Sequence, residues 1–156
     1  MKKLLAKTWR KLGLPKGIQL SIMRISQDQF LVGVTGIIFN EKKEVLLFKH
    51  TYRQSPQWSL PGGYLKSKEH PLEGLEREIA EESGFVVSAD EELKIRTDRE
   101  TSRLDVTVIG KHIGGEFNPS HEVSDYGFFA FKNLPLISKN QLFQIEQALI
   151  HLKQTE

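Results

Sequence analysis

Glu78, Glu81 and Glu82 stand at i, i+3 and i+4, just beyond the turn Pro61-Gly62-Gly63. On a helix this spacing puts three carboxylates on one face. Like charges so placed cost a few tenths of a kcal/mol per pair, so helix propensity does not account for them. A hard divalent cation, which takes oxygen ligands, does.

The element that must carry them is predicted at Pro71 to Ser83. Proline suits the first turn of a helix, where its missing N–H costs nothing, and Gly84 is a ready left-handed stop. At 100° per residue, Leu72, Leu75 and Ile79 form an apolar stripe for a sheet to cover. Glu78, Glu81 and Glu82 fall at the border of that stripe, with Gly74 among them. Glu73, Glu76 and Ala80 point the other way and read as a solvated face.

Around this helix, Phe30 to Phe39 has the β-branched and aromatic content of a buried strand, and Val45 to Lys49 its hairpin partner. His50 to Gln57 reads as a polar loop and Trp58 to Leu60 as a short strand. Further strands are expected at Val86–Val87, Leu93–Thr97, Leu104–Ile113 and Tyr126–Phe131, the last with Phe128, Phe129 and Phe131 as core or with one side lining a pocket. A closing helix is expected from Lys139 to Lys153, with Leu142, Ile145, Leu149 and Leu152 at helical spacing. Residues 2–12 read as a basic amphipathic helix with Leu4, Leu5, Trp9 and Leu12 on one side, ended by Gly13 and Pro15. Residues 16–28 fit either a second short helix or a lead-in strand. A mixed sheet with a few helices follows.

The chain has 156 residues, 38% of them hydrophobic and 27% charged, as in one soluble globular domain. Its net charge of +2 does not by itself argue for nucleic acid. The absence of cysteine removes disulfides, thiolate metal sites and cysteine nucleophiles. The first residues lack the about 7–15 apolar residues of a secretory signal, and no run approaches the about 20 of a spanning helix. A cytoplasmic protein is expected.

The helix also belongs to a longer pattern, G-x5-E-x7-R-E-x-x-E-E-x-G, met by Gly63, Glu69, Arg77, Glu78, Glu81, Glu82 and Gly84, with apolar Ile79 and Phe85. This resembles the Nudix hydrolase signature, and WSLPGG before it and HEVSDYGFFAFKNLP after it also look like segments of that family. The resemblance covers roughly residues 30–135. It implies an α/β Nudix fold, a mixed β-sheet in an α/β/α sandwich, over residues 29–156, with residues 1–28 as a helical extension. It further implies hydrolysis of a nucleoside diphosphate linked to another group X, with Mg2+ or Mn2+.

By that resemblance Glu78, Glu81, Glu82 and the carbonyl of Gly62 hold metal, and Arg77 orients a glutamate. Gly63, Glu69 and Gly84 support the loop and helix. The base is Glu78 or a later glutamate, Glu122 first and Glu116 second; Glu122 is also a candidate further ligand. The family departures are Lys68, often glycine, and Gly74, often alanine. Neither is a ligand.

The substrate is less defined. The proline typical of the ADP-ribose type is replaced by Glu100-Thr101, the tyrosine of the dinucleoside-polyphosphate type is not met before Tyr126, and the NADH-type motif is absent. Tyr52 could stack on a base and Arg53 hold a phosphate, with ordinary loop surface as the alternative. His121 reads as a polar loop residue. Two other functions stand beside the first: nucleoside triphosphate pyrophosphohydrolysis, and a nucleotide-sensing module with an inactive site. Allylic diphosphate isomerisation on this fold relies on cysteine, which is missing. Residues 2–12 are expected to dock on their own domain or in a homodimer; an anionic membrane surface or RNA are the alternatives.

Overall fold

Residues 13–98 and 100–155 are described by the computed structural model. The chain divides after Phe30 into two units. In the first, helix α1 (Lys16–Ser26) starts behind Pro15 and buries none of its residues. The ambiguity at 16–28 thus resolves as helix. The helix expected at 2–12 lies outside the described residues.

The second unit is built on a mixed sheet. Strand β1 (Leu31–Phe39) is central: it runs parallel to β6 (Arg103–Gly115), which in turn pairs antiparallel with β5 (Phe85–Asp98). On its other side β1 meets β2 (Val45–His50) only at Phe39↔Val45, so the expected hairpin is closed at its turn and opens away from it. The short strand β4 (Gly62–Tyr64) pairs with β1 in that opening, from Gly33↔Tyr64 to Thr35↔Gly62. Strands β3 (Trp58–Ser59) and β7 (Val123–Phe129) flank β2.

Alternation along the strands creates two cores. Val34, Ile38, Leu46, Phe48, Val106 and Val108 face one way and meet Leu75 and Ile79 of helix α2 (Pro71–Ser83). Ile37, Phe39, Val45, Leu47 and Ile109 face the other way, against Ile145 and Ala148 of helix α3 (Lys139–Thr155). Period-two strands between two helices are the α/β/α sandwich that the family resemblance implied. Leu75 and Ile79 are fully buried, a gain of about 1.5–3 kcal/mol each.

Helix α2 has the predicted bounds, and its start is better secured than proline alone would make it. His70 caps it: Nδ1 accepts from Leu72 N at 3.3 Å, and the Glu73 carboxylate accepts from His70 N at 3.4 Å. Gly84 is left-handed at φ 76°, its N–H donating to Ala80 O at 2.9 Å. Gly74 is a close approach: a Cβ there would stand 2.3 Å from Leu65 Cδ2. The helix accepts the cost of glycine so that the preceding loop can lie against it.

Some expectations need correction. Val86–Val87 and Leu93–Thr97 are parts of one strand, β5, which absorbs three register shifts, at Val86/Val87, Ala89/Glu91 and Glu92/Lys94. Glu73 and Glu76 are not merely solvated. Glu73 closes the cap, and Glu76 Oε1 accepts from Ala89 N at 2.9 Å, fastening α2 to β5. His50 ends strand β2 and is buried. The last strand stops at Phe129; Phe131 opens a 3-10 turn, Phe131–Asn133, and is 41% exposed, so it is not core. Of the residues at helical spacing in α3, Leu142 is 41% exposed and Ile145 fully buried, and Ala148 is buried beside it. Among the described residues no helix is long and apolar enough to cross a membrane.

Candidate active site

The backbone turn before α2 shapes the site. Gly62 has φ 152°, and a Cβ on it would lie 2.1 Å from Val34 O, so only glycine lets β4 approach β1 here. On Gly63 a Cβ would lie 2.3 Å from the carboxyl carbon of Glu78. The bare glycine therefore makes room for that carboxylate.

Arg77 organises what surrounds it. Its Nε and Nη2 donate to Glu69 Oε1 and Oε2 at 2.6 and 2.8 Å, a bidentate pair. Nη1 donates to Glu78 Oε1 at 2.8 Å and Glu81 Oε2 at 3.1 Å, and Nη2 also reaches Tyr64 O at 3.2 Å. Glu69 accepts in addition from Lys66 N at 2.8 Å. Loop, strand β4 and helix are thus tied through one guanidinium. The hydrogen bonds from Arg77 first, and from Lys66 N second, hold Glu69 at a pKa of about 2.

Glu82 has the opposite environment. It is buried, and its Oε2 has no hydrogen-bond partner among the described residues. Burial first, then the charges of Glu78 and Glu122, push its pKa up to about 8, with Arg53 opposing. Glu81 is more exposed; Lys66, Nζ to Oε1 at 3.1 Å, and then Arg77 lower its pKa.

Glu78, Glu82, Glu122, Gly62 and Gly63 line one cavity of about 370 Å³, together with Tyr52 and Arg53. Glu81, turned to Lys66 and Arg77, does not line it. Among the described residues no three acidic or histidine side chains are gathered at chelating distance. Still, the donor set is all oxygen and negatively charged, with an orphaned buried Glu82 oxygen, and it fits a hard divalent cation.

Glu122 is placed by the end of β2. Thr51 N donates to Glu122 O at 2.9 Å, and Thr51 Oγ1 to His121 O at 2.7 Å. Ser120 Oγ accepts from Glu122 N and Val123 N at 3.3 and 3.0 Å, closing the turn. His50 beside it has a pKa lowered to about 4, by burial first and Arg53 second. Glu116, the second candidate base, does not line the cavity, and its carbonyl lies against Gly84.

This geometry agrees with the chain's relatives. The model of the NUDIX domain matches residues 29–149. The chain belongs to this family. An ADP-ribose pyrophosphatase from Methanocaldococcus jannaschii is 29% identical over 111 residues, 69% of this NUDIX chain and 66% of that protein. The zebrafish, Danio rerio, 8-oxo-dGDP phosphatase NUDT18 is 41% identical over 57 residues, but those are 36% of this chain and only 17% of NUDT18. The crystal structure of an ADP-ribose pyrophosphatase from Streptococcus suis superposes with a TM-score of 0.65 at 26% identity, covering 78% of this chain and 92% of that one.

No motif in the sequence marks Thr51, Tyr64, Arg103, Asp105 or Gln141. Tyr64, Arg103, Asp105 and Gln141 also line the cavity. They come from β4, β6 and α3, and no local spacing joins them. Only the register of β1 against β4 and β6 brings the first three side by side.

Proposed function

We propose that this NUDIX domain hydrolyses the diphosphate bond of a nucleoside diphosphate linked to a further group X, with a divalent cation, Mg2+ or Mn2+. The observation that carries this reading is the cavity that Glu78, Glu82 and Glu122 line, with a Glu82 oxygen buried without a hydrogen-bond partner among the described residues.

Glu78, Glu82 and the Gly62 carbonyl would hold the cation, joined by Glu81 once it leaves Lys66. When bound, the cation neutralises the diphosphate and makes a nearby water more acidic. Arg77 keeps Glu78 in place through its 2.8 Å hydrogen bond and is itself locked by Glu69. Glu122 accepts the proton of the attacking water, and Glu78 is the alternative base. Arg53 and Tyr52 line the cavity, where Arg53 would hold a phosphate and Tyr52 would stack on the base. Water adds to one phosphorus, and a nucleoside monophosphate and a phosphorylated X leave.

The relatives named ADP-ribose pyrophosphatases support ADP-ribose as the first compound to test. Purified protein should be offered ADP-ribose, sugar nucleotides, dinucleotides, CDP-alcohols, nucleoside triphosphates and capped RNA, in 18O-labelled water. The reading expects a nucleoside monophosphate among the products and one 18O in a product phosphate. Pyrophosphate release from triphosphates would favour the sanitising reaction instead. Nucleotide binding without any turnover would sink hydrolysis and leave a sensing module.

A further inference from the structure

The opening unit of the chain carries a charge that the remainder does not. Residues 1–30 hold five lysines and two arginines against one acid, Asp28, although the whole chain is only +2; residues 31–156 are therefore net acidic. Within this unit α1 leaves its apolar side chains uncovered. None of its residues is buried, and Ile18, Ile22 and Ile25 are all exposed, Ile25 by 89%. At about 100° per residue these three isoleucines fall within about 60° of one another, and Lys16 and Arg24 lie on the other side. Leu20 and Met23 belong to that other side too, where they border a hollow with Lys16 and Gln19.

An 11-residue helix with Gly17 in its first turn and no side-chain cap at Pro15 is marginal by itself in water. It needs a surface, and the residue types say which kind. RNA would answer the charge but leave the isoleucine stripe in water. A protein partner would cover the stripe, but lysine is depleted at protein interfaces, and five of the seven basic residues here are lysines. An anionic lipid surface answers both. Isoleucines enter the acyl boundary, while flexible lysine stems reach back to the phosphate head groups. At a rise of about 1.5 Å per residue α1 is about 16 Å long, roughly half the hydrocarbon thickness of a bilayer, so it would lie on the surface and not span it.

We propose that residues 1–30 anchor the chain to an anionic membrane surface. Ile18, Ile22 and Ile25 of α1 insert between the lipids, and the basic residues of the same unit, Lys16 and Arg24 among them, meet the head groups. Such an anchor sets where the NUDIX domain works and is independent of which bond it cleaves.

The test reads binding rather than turnover. The full chain is mixed with phosphatidylcholine vesicles, with and without about one-third phosphatidylglycerol, and bound protein is measured by flotation. Binding to the anionic vesicles should be roughly hundredfold tighter than to the neutral ones, as about three engaged basic residues at about fivefold each supply, and should fall with added salt. Ile18→Ser/Ile22→Ser/Ile25→Ser should weaken it by roughly tenfold or more, and so should Lys16→Glu/Arg24→Glu, whereas Ile18→Leu/Ile22→Leu/Ile25→Leu should keep it. The NUDIX domain should melt at the same temperature in all three variants. Absence of binding, equal binding to both kinds of vesicle, or anionic binding that the serine variant retains overturns the anchor. A serine variant whose NUDIX domain melts lower puts the isoleucines on their own domain and overturns it too. So does a dimer that the serine variant splits, or tight retention of RNA, where vesicles are not bound.

Discussion

The Glu78 carboxylate occupies the volume that a side chain on Gly63 would fill, its carboxyl carbon 2.3 Å from where a Cβ would stand. The obstacle is the far end of a flexible side chain, so Gly63→Ala should fold. Its carboxylate must move, and a displacement of this kind costs about 100-fold in rate. Steady-state kinetics beside a melting curve checks this; unchanged turnover in Gly63→Ala would show that the Glu78 position is not critical.

Gly62→Ala should behave differently, because its Cβ meets backbone, 2.1 Å from Val34 O. A destabilisation on the order of 3 kcal/mol is expected from strain at a residue with positive φ. Chemical denaturation of the two alanine variants side by side separates the mechanisms. Equal stability loss in both would contradict the distinction.

Glu69 links stability to acid. Its pKa of about 2, set by Arg77 and then Lys66 N, lies below the unfolded value. Its stabilisation is therefore complete above about pH 4.5 and is lost as the pH falls toward 2. Glu69→Gln should melt below wild type at pH 7, and the difference should shrink toward pH 3. A difference independent of pH would mean that the ion pair does not set this stability.

Glu82 has the reverse sign. Its pKa of about 8, raised by burial and then by Glu78 and Glu122, means that the native chain keeps a proton the unfolded chain releases. Wild-type stability should fall as pH rises from about 4.5 to 8 in EDTA. Glu82→Gln, which cannot ionise, should gain on wild type across that window. Mg2+ should raise the melting temperature at pH 8 for wild type more than for the variant.

Thr51 is expected to act through Glu122, whose carbonyl accepts from its N–H, while its Oγ1 holds His121 O at 2.7 Å. Thr51→Val should lower kcat by roughly tenfold with little change in KM, and Thr51→Ser should restore it. Failure of serine to restore kcat would assign the effect to packing instead.

How far residues alone carried the reading depended on distance along the chain. Helix α2 was plain because its apolar stripe, proline start and glycine stop lie within 14 residues, 71–84. Strand β5 was split in two because its exposed half carries Asp90, Glu91 and Glu92, and its bulges break the alternation. The roles of Glu73 and Glu76 escaped for a related reason: their partners, His70 N and Ala89 N, are backbone groups that no side-chain pattern records. The lining of the cavity was likewise only partly visible. Spacing grouped Glu81 with Glu78 and Glu82, but Lys66 and Arg77 draw it out of the cavity, and Glu122 joins from a loop on β7's side of the sheet.

The central claim is that Glu82 and Glu78 hold a cation for diphosphate hydrolysis, and Glu82→Gln tests it most directly. With the best substrate of the panel, wild-type turnover should require Mg2+ or Mn2+ and vanish in EDTA. The variant should fold yet lose activity by about 1,000-fold or more at saturating metal. A folded Glu82→Gln protein with wild-type turnover, or wild-type turnover undiminished by EDTA, would contradict the account.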